Sequence, residues 1–582
     1  MIFLFNINPK KYSFFAIVLQ CFFLFFAIVL ILQLVRLQIF DHGELKEKAS
    51  QMRQPLRSFT FRGEITDRNG IRLASDATLY DIYAHPKYYT KDNPPEKMAI
   101  LLSPILRQPS DVILEKLNKL DASTITLAKG MDRDTITKIK KLQLRGLDLV
   151  KKSERVYPQG NLASHILGYV NTDANLFAGV ERTGSKDLEE LPKVQPVEYD
   201  GKGDVIYDFN TDPIYAALPL TGKRLVLTID TTIQHVAETE LSRMMSKTKA
   251  ERGTVIVMNP RNGEIYGFAV LPSYNPNKYN KAKPSIIKNW VLSDVYPPGS
   301  TFKILTVASG LETGSITEDE KIFDSGEVKI DKWTITNYDY AKRGAPGLID
   351  LRHLFMHSSN VGSLKVSLSI PSYEHYKMLR LFGIGSETGI DLPGESAGII
   401  PPPKTWDKVK HATIGFGYSI ASTPMQIASA VAAIANNGIW VTPHVIKYNK
   451  EESLKRLKTR RVLSPQTAVT MTRLLSDSIQ YSDAKAGKIP DFRVAGKSGT
   501  SRKPNPHGAG YLPGQVFTSF VGYFPAYDPQ VLIMVVVDNP KGVEIWGSTV
   551  AGPIFNNVAI ETARILDLKL DAPGLNHKNK EN

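Results

Sequence analysis

The sequence predicts an α+β protein with a single N-terminal transmembrane helix, an elongated β-rich domain and a larger domain built on an antiparallel sheet. Three observations predict this architecture. One apolar run near the N-terminus has no charged residue, residues 36–220 mix short β-rich stretches with proline-rich and charged ones, and strand patterns frame residues 221–566. Helical patterns lie between those strands, which is typical of helices inserted into one sheet.

Composition excludes several classes of protein. The chain has 582 residues, 42% hydrophobic and 22% charged, with scattered glycines and prolines, which excludes collagen-like and wholly disordered proteins. The only cysteine, Cys21, cannot form an intramolecular disulfide, and no Cys/His cluster has zinc-finger spacing, so we expect no metal and no cofactor. The formal charge of +14 suits an anionic partner such as membrane lipid. Nucleic acid is disfavoured because no basic helix or aromatic platform accompanies the charge.

Residues 13–35 predict one transmembrane helix. A helix of this length spans about 35 Å, enough for about 30 Å of hydrocarbon, and the run is longer than the apolar core of a signal peptide. Residues 1–12 then become a short cytoplasmic tail. Positive charges favour the opposite orientation, because two lysines precede the run and four cations follow it: Arg36, Lys46, Lys48 and Arg53. We nevertheless expect the body outside, because long domains cross largely regardless of charge and the chemistry below requires it.

Residues 36–220 predict a non-catalytic pedestal, and residues 221–566 predict the domain that carries the chemistry. The pedestal is polar and irregular and contains no catalytic constellation. In the second domain a strand over 225–229 leads to Asp230, a good N-cap residue, and then to a helix. The polar tail over 567–582 is predicted to be disordered. The other predicted elements are strands over 254–258, 264–271, 516–524 and 531–537 and a helix that begins at residue 424.

A candidate nucleophile stands at Ser300. A serine nucleophile needs a base, and Ser-x-x-Lys on a helix places the amine one turn from the hydroxyl. Ser300 and Lys303 follow a Tyr-Pro-Pro-Gly turn and precede an apolar helical run, which places Ser300 at a helix N-terminus where an oxyanion is stabilised. Three other pairs lack this context and are interpreted as accidental: Ser246/Lys249, Ser285/Lys288 and Ser482/Lys485.

Two further motifs follow Ser300 along the chain, in the order of a known three-motif signature. They are Ser358-Ser359-Asn360 and Lys497-Ser498-Gly499-Thr500, and Lys497 opens the only Lys-Ser/Thr-Gly in the chain. Ser-x-x-Lys, Ser-Asp-Asn and Lys-Thr-Gly together form the signature of penicillin-binding proteins and class A β-lactamases. In this chain Ser359 stands where that signature has Asp, and Ser498 stands where it has Thr. Both replacements keep a hydroxyl or an amide at the positions that act.

The second motif is predicted to take part in proton transfer. Ser358 can relay a proton between Lys303 and a departing amine, and Asn360 can hold both the substrate amide and Lys303. A lysine at its reference pKa of about 10.4 is a poor base, so we expect burial and the charge of Lys497 to lower the pKa of Lys303.

The third motif is predicted to bind substrate. The Lys497 charge with the hydroxyls of Ser498 and Thr500 suits a terminal carboxylate. Gly499 has no side chain, so we expect a substrate strand to lie close against it.

With these motifs the chain resembles a class B penicillin-binding protein, a membrane-anchored peptidoglycan D,D-transpeptidase. Segments 62–70, 157–160 and 165–169 look like the pedestal motifs of that family, and the likeness ends near residue 566. The resemblance implies that Ser300 attacks a stem peptide ending in D-Ala-D-Ala, that the last D-Ala leaves and that an amine of a neighbouring stem takes the acyl group. It also implies an oxyanion hole formed by the backbone N–H groups of Ser300 and Thr500, and acylation of Ser300 by β-lactams.

The motif flanks are most similar to the division-specific, septal branch, since the elongation branch more often carries an acidic residue in the second motif. The resemblance implies a bacterial plasma membrane protein with its catalytic domain on the outer, periplasmic side. It also implies two kinds of partner, a membrane-embedded glycan polymerase and divisome proteins. No glycosyltransferase domain is recognised before residue 220, which argues against the bifunctional class A type.

Other functions stay open. An elongation-specific transpeptidase of the same family is one alternative, and a membrane-bound β-lactam receptor or scaffold is another. A class A β-lactamase is disfavoured because no glutamate after the second motif has an asparagine four residues later, the three candidates being Glu374, Glu387 and Glu395. His357, next to Ser358, is more simply explained as a structural residue than as a base.

Overall fold

The structure is a computed structural model, and it describes residues 9–46, 54–57, 60–171, 176–189, 194–199, 205–206, 220–542 and 544–576. Residues 1–8 of the predicted cytoplasmic tail therefore lie outside the described residues. The chain divides into two units, and each is described by itself: Met1–Phe61 with Glu190–Thr221, and Arg62–Glu189 with Gly222–Asn582.

The first unit contains the helix predicted to span the membrane. The helix runs over Pro9–Val35 and continues as a π-helical segment over Arg36–Phe40 and a short helix over 42–46. Within the described chain, Phe14–Phe40 is the one helical stretch long and apolar enough to cross a membrane, and its apolar side chains are exposed, as a lipid-facing surface requires. The strands of this unit form an antiparallel group, Gln54–Arg57, Val194–Tyr199 and Val205–Ile206, and a parallel pair, Thr60–Phe61 with Leu220–Thr221.

The second unit begins with residues 62–189 of the pedestal predicted over 36–220, whose other residues belong to the first unit. The sheet of this part is centred on the long strand Arg72–Ala84. Leu147–Val156 and Ile125–Met131 both pair with it in antiparallel fashion. The short strand Ile65–Thr66 pairs with the start of Arg72–Ala84 and, in parallel, with Leu225–Val226, which is all that forms of the strand predicted over 225–229.

Three helices give this part of the chain a hydrophobic core of its own. They are Pro95–Leu106, Ser110–Leu117 and Arg133–Lys141, and they bury Met98, Leu102, Ile113, Leu117, Ile136 and Ile139. The sequence predicted an irregular polar region here. The structure differs because the pair Pro94-Pro95, which is typical of a linker, begins a helix. Pro95 occupies the first helical turn, where proline lacks only an N–H that would be unpaired anyway.

Buried charges hold the pedestal together. Arg62 Nε and Arg155 Nε each donate to the Glu181 carboxylate at 2.6 Å, and Arg155 also pairs with Asp76 at 3.0 Å. The Glu181 side chain is fully buried. Arg62 opens one of the pedestal motifs, so this network supplies a structural reason for it.

The same motifs tie the pedestal to the larger domain. Asp67 accepts hydrogen bonds from the backbone N–H of Thr231 at 3.1 Å and from its hydroxyl at 2.5 Å, at the start of the helix Thr231–Thr248. The Asn277 amide bonds both backbone groups of Tyr157 at 2.9 Å. Both contacts join segments that are distant in sequence through polar side chains.

The larger domain is built on an antiparallel sheet, as predicted, and this sheet has five strands, of which Ala495–Pro504 was not among those predicted. The strand order is Ile265–Leu271, Arg252–Met258, Val531–Asp538, Tyr511–Phe524 and Ala495–Pro504. Alternate residues point to opposite faces, so Val255 and Val257 pack with the helices Thr231–Thr248 and Ala551–Ile565. Ile256 and Met258 belong to the core on the other face, which also receives three helices: Lys303–Glu312, Pro424–Ala435 and Pro465–Gln480.

Smaller elements complete the second unit. Asp230 caps the helix Thr231–Thr248, as predicted, by accepting the backbone N–H groups of Thr232 and Ile233. The paired strands are Ile322–Asp324 with Gly347–Ile349, Glu327–Ile330 with Trp333–Thr336, Ile439–Val441 with Thr459–Arg461, and Val170–Asn171 with Leu176–Phe177. The remaining helices are Ser164–Leu167, Gly179–Thr183, Ser185–Leu188, Pro284–Ile287, Trp290–Ser293, Tyr340–Arg343, Leu351–Met356, Asn360–Ser369, Ser372–Leu381, Lys408–Ile414 and Lys450–Arg456.

The described part of the predicted disordered tail is folded. The Asp571 carboxylate accepts the backbone N–H of Arg493 at 3.0 Å, and the Leu575 carbonyl accepts that of Asp491 at 2.9 Å. These bonds hold the turn over 571–576 against 489–493, which sequence composition did not indicate. Residues 577–582 lie outside the described residues.

Candidate active site

Ser300 lies in a tight turn that is clamped from two sides. The 3-10 turn Gly299–Phe302 leads directly into the helix Lys303–Glu312, so the serine is one turn before the lysine, as predicted. Gly299 has a φ of 60°, and a Cβ there would come within 2.9 Å of the Ser501 Cβ. On the other side a Cβ on Gly417 would lie 2.3 Å from the Gly299 carbonyl oxygen. Glycine at both positions lets the turn be held between two segments of backbone.

Lys303 is fully buried and points its ammonium at the second motif. Its Nζ donates to the Ser358 carbonyl oxygen, to the Ser358 Oγ at 3.2 Å and to the Asn360 Oδ1 at 2.9 Å. Burial and the charge of Lys497 hold the pKa of Lys303 well below its usual range, against the opposing charges of Asp324 and Asp339. The two causes expected from the sequence therefore act in the expected direction.

The second motif forms a bend between two helices. Ser358 follows the helix Leu351–Met356 with a φ of 51°, an uncommon conformation for serine that turns its hydroxyl toward Lys303. Ser359 caps the next helix, Asn360–Ser369, by accepting the Gly362 N–H at 2.7 Å. The bend therefore presents Ser358 and Asn360 to the same ammonium group.

The third motif lies on Ala495–Pro504, the edge strand of the sheet. Lys497 is buried and its Nζ donates to the Ser498 carbonyl oxygen at 2.9 Å. Burial lowers its pKa to about 8, so the side chain is still charged at neutral pH. Ser498 and Thr500 are half-buried and border the outer edge, where among the described residues no further strand is paired.

Gly499 has a different structural reason from the one expected. A Cβ at this position would lie 2.6 Å from the Ser519 Oγ and 3.0 Å from the Thr301 Cγ2. The missing side chain therefore lets the strand pack against the turn that carries Ser300, which places the third motif beside that serine.

Several residues at the site escaped the sequence prediction. The Gly547 N–H donates to the Thr500 Oγ1 at 2.9 Å, and a Cβ on Gly547 would meet the Gly499 carbonyl oxygen at 2.3 Å. The rings of Tyr338 and Trp546, both exposed, lie 6.0 Å apart between the second-motif and third-motif segments. None of Tyr338, Trp546 and Gly547 belongs to a short motif. The adjacent Trp546 and Gly547, an exposed aromatic residue beside a glycine, are the signal in the sequence that could have indicated a binding surface.

The remaining candidates fall as follows. Ser300 Oγ is half-buried and has no hydrogen-bond partner among the described residues, whereas Lys303 uses all three donors on the second motif. The Nδ1 of His357 accepts a hydrogen bond from Arg343 at 2.7 Å, so this ring nitrogen is already occupied. The three other Ser-x-x-Lys pairs have exposed lysines: Lys249, Lys288 and Lys485.

Comparison with known proteins gives two matching domain families. Residues 253–559 match the penicillin binding protein transpeptidase domain, and residues 59–206 match the penicillin-binding protein dimerisation domain. The first match covers the sheet, the Ser300 turn and both downstream motifs.

Individual proteins match over most of the chain. Stage V sporulation protein D of Bacillus subtilis (strain 168) is 30% identical over 519 residues, which cover 87% of this chain and 79% of that protein. The peptidoglycan D,D-transpeptidase FtsI homolog of Mesostigma viride is 30% identical over 601 residues, covering 98% and 99%. In fold, the crystal structure of penicillin binding protein 2X from Streptococcus thermophilus matches with a TM-score of 0.70 and 24% identity, covering 89% of this chain and 81% of that one.

Proposed function

Because this chain belongs to the penicillin-binding proteins, as a class B peptidoglycan D,D-transpeptidase, we propose that it cross-links stem peptides through an acyl-enzyme on Ser300. The observation that carries the residue assignment is the convergence of the three motifs. The buried Lys303 ammonium contacts Ser358 and Asn360, and Gly499 packs the third motif against the Ser300 turn.

The free edge of the third-motif strand supports a binding mode. A stem peptide is extended, and an added strand satisfies its backbone groups on an unpaired sheet edge. Lys497 stays charged at neutral pH beside the half-buried Ser498 and Thr500 hydroxyls, which suits the terminal carboxylate of D-Ala-D-Ala. The exposed Tyr338 and Trp546 rings border the same cleft and offer apolar contact to the rest of the peptide.

Acylation uses the groups in the following order. Ser300 Oγ attacks the carbonyl carbon of the penultimate D-Ala, and its proton passes to neutral Lys303. The tetrahedral oxyanion is stabilised by the backbone N–H groups of Ser300 and Thr500. The C–N bond then breaks, and Ser358 passes a proton from Lys303 to the departing D-Ala amine. Deacylation reverses this path: an amine of a second stem attacks the ester, loses its proton through Ser358 to Lys303, and Ser300 recovers its own.

The low pKa of Lys303 is what makes this path workable at neutral pH. A base must be unprotonated before the serine attacks, and burial with Lys497 favours the neutral amine. Asn360 keeps that amine oriented through its Oδ1. Among the described residues Ser300 Oγ has no hydrogen-bond partner. We infer that bound substrate orders the cleft and so completes the proton path from Ser300 Oγ to Lys303.

The finer assignment concerns place and partners. We infer an anchor over 13–35, a pedestal over 36–220 and a transpeptidase domain over 221–566, consistent with the matched ranges 59–206 and 253–559. The single apolar helix anchors the chain, and the substrate requires the body on the outer face of the plasma membrane. There the +14 charge meets anionic lipid, and a membrane-embedded glycan polymerase and divisome proteins are the expected partners.

A septal rather than an elongation role is favoured by the flanks of the motifs and by the FtsI name of one relative. Depletion in the source bacterium tests this role. Septal function predicts filaments with intact side walls and a midcell position of the tagged protein. Rounded cells with dispersed label would assign the chain to elongation instead.

Transfer itself is tested with purified full-length protein in detergent, lipid-linked disaccharide pentapeptide and a fluorescent D-amino acid. Wild type is expected to exchange the terminal D-Ala for the fluorescent residue. Ser300→Ala should abolish exchange, while Ser285→Ala, which alters another Ser-x-x-Lys pair, should retain it. A wild type that binds penicillin but exchanges nothing would indicate a receptor or scaffold.

A further inference from the structure

A fully buried carboxylate lies beneath the second motif, outside all three signature motifs. Asp324 ends the strand Ile322–Asp324. Its oxygens accept the Gly326 N–H at 2.8 Å, the Asn337 Nδ2 at 2.9 Å on each oxygen, and the Ser359 hydroxyl at 2.5 Å. Such an arrangement satisfies an ionised carboxylate without a cation. Among the described residues Asp324 forms no salt bridge.

Both side-chain partners of Asp324 continue to the bend that carries the second motif. The Asn337 Oδ1 accepts the backbone N–H groups of Asn360 at 2.8 Å and Val361 at 3.1 Å. The Ser359 hydroxyl, which donates to Asp324, accepts the Gly362 N–H at 2.7 Å. Three N–H groups of the first turn of the helix Asn360–Ser369 are therefore fixed by one carboxylate through two intermediaries.

The same turn fixes the amide that faces the base. Asn360 Nδ2 donates to the Thr336 carbonyl oxygen at 2.9 Å, which leaves Oδ1 directed at Lys303 Nζ at 2.9 Å. Thr336 precedes Asn337 in the chain, so the strand that holds the Asn360 amide also supplies the link to Asp324. An error in this turn would move the Asn360 Oδ1 and the adjoining bend at Ser358, which together supply all three acceptors of Lys303.

We propose that Asp324 is the positioning residue of the second motif: its buried carboxylate fixes, through Asn337 and Ser359, the turn from which Ser358 and Asn360 orient Lys303. This inference rests on the proposed function, in which Lys303 is the base of acylation. Asp324 acts through other residues and does not touch the reacting atoms.

Asp324 has a second, electrostatic effect. The charged groups that act on Lys303 are Lys497, which lowers its pKa together with burial, and Asp324 and Asp339, which raise it. Asp339 shares its charge with Arg343 at 3.6 Å, whereas Asp324 has no cationic partner among the described residues. An uncompensated buried charge acts strongly because the surrounding dielectric is low. Asp324 therefore opposes the loss of the Lys303 proton.

Asp324→Asn separates these effects from general damage. A carboxamide has one acceptor oxygen, so Ser359 or Asn337 loses its partner and the turn shifts. A small misplacement of catalytic groups costs about a hundredfold in rate. We expect the acylation rate at saturating penicillin to fall by about ten- to a hundredfold, with little change in the non-covalent binding constant. Without the Asp324 charge the pKa of Lys303 falls further, so the variant should keep a larger share of its rate at pH 5 relative to pH 8 than wild type does.

The experiment is stopped-flow acylation of the full chain in detergent by benzylpenicillin, with Ser359→Ala and Asp350→Asn as companions. Ser359→Ala keeps the Asp324 charge, so its rate should fall with an unchanged pH 5 to pH 8 ratio. Asp350 caps the neighbouring helix Leu351–Met356 by accepting the His353 N–H at 2.8 Å, so Asp350→Asn is the matched control and should change neither quantity.

The outcomes are distinguishable. Wild-type rates in Asp324→Asn, or equal losses in rate and binding, would overturn the positioning role, and an unchanged pH ratio would overturn the electrostatic part. If Asp324→Asn does not fold, the positioning role stands on Ser359→Ala and Asn337→Ala, and normal rates in both would overturn it. Wild type that is not acylated at Ser300 refutes the proposed function instead.

Discussion

The state of Lys497 should limit acylation at alkaline pH. Burial lowers its pKa to about 8, and the proposed binding mode needs the ammonium to hold the substrate carboxylate. A group with this pKa is charged in roughly nine molecules of ten at pH 7 and in roughly one of ten at pH 9. The second-order acylation constant for benzylpenicillin should therefore fall about tenfold from pH 7 to pH 9. Lys303, whose pKa is held well below its usual range, should add no loss in this window, because raising the pH favours its neutral form, which is the form that acts as the base.

Two comparisons isolate this effect. Lys497→Arg places a guanidinium at the same position, and because arginine stays charged its acylation constant should stay level to pH 9.5, at a lower plateau where the larger head group fits poorly. The methyl ester of the same penicillin has no carboxylate, so its slow reaction with wild type should lack the alkaline fall. A wild-type constant that stays level to pH 9.5, or an equal fall for acid and ester, would refute the assignment of Lys497 as the carboxylate-binding group.

Three further predictions concern the fold around the site. Burial lowers the pKa of His375 to about 3, so between about pH 6.5 and about pH 3 only the unfolded chain binds a proton at this residue. The free energy of unfolding in urea titrations should therefore be about 2 kcal/mol lower at pH 5 than at neutral pH, and His375→Phe should remove that loss. Gly499→Ala forces a Cβ to within 2.6 Å of a neighbouring hydroxyl and should slow penicillin acylation about a hundredfold, whereas Gly508→Ala, whose nearest atom would be 3.6 Å away, should not. Arg155→Met leaves the Asp76 carboxylate without its arginine partner and the buried Glu181 with Arg62 alone, and should lower the free energy of unfolding by about 3–5 kcal/mol. Acylation by the folded fraction should stay normal, and an unchanged urea midpoint would contradict this.

Three strands of the transpeptidase sheet were predictable because they are continuous apolar runs with both faces covered: Arg252–Met258, Ile265–Leu271 and Val531–Asp538. The strand Ala495–Pro504, which carries the third motif, was not predicted because its sequence is mostly polar. Val531–Asp538 is the clearest case: residues on both sides of the strand are buried, so neither alternation nor length was ambiguous. The helix after Asp230 was predictable for a different reason, because capping is a local property of a few residues. Signals of this kind depend only on neighbouring residues, so the sequence alone is enough to predict them.

The pedestal was less predictable because its order depends on long-range pairing. Arg62 and Glu181 are distant in sequence, and before folding they look like two exposed charges. The same is true of the site. Ser300 and Lys303 are adjacent on a helix and could be identified from the sequence, whereas Asp324 enters only through contacts with Asn337 and Ser359. Gly499 was recognised, but its reason, the approach to Thr301, required the structure.

If Ser300 is the acylated nucleophile, penicillin must be attached covalently to this residue, and mapping the attachment site decides whether it is. The full-length protein is incubated with a fluorescent penicillin at neutral pH, digested, and the penicilloyl group is located by tandem mass spectrometry. We predict one adduct on the peptide that contains Ser300, and no labelling of Ser300→Ala despite normal folding. Persistent labelling of Ser300→Ala, or an adduct on any other serine, would contradict the account.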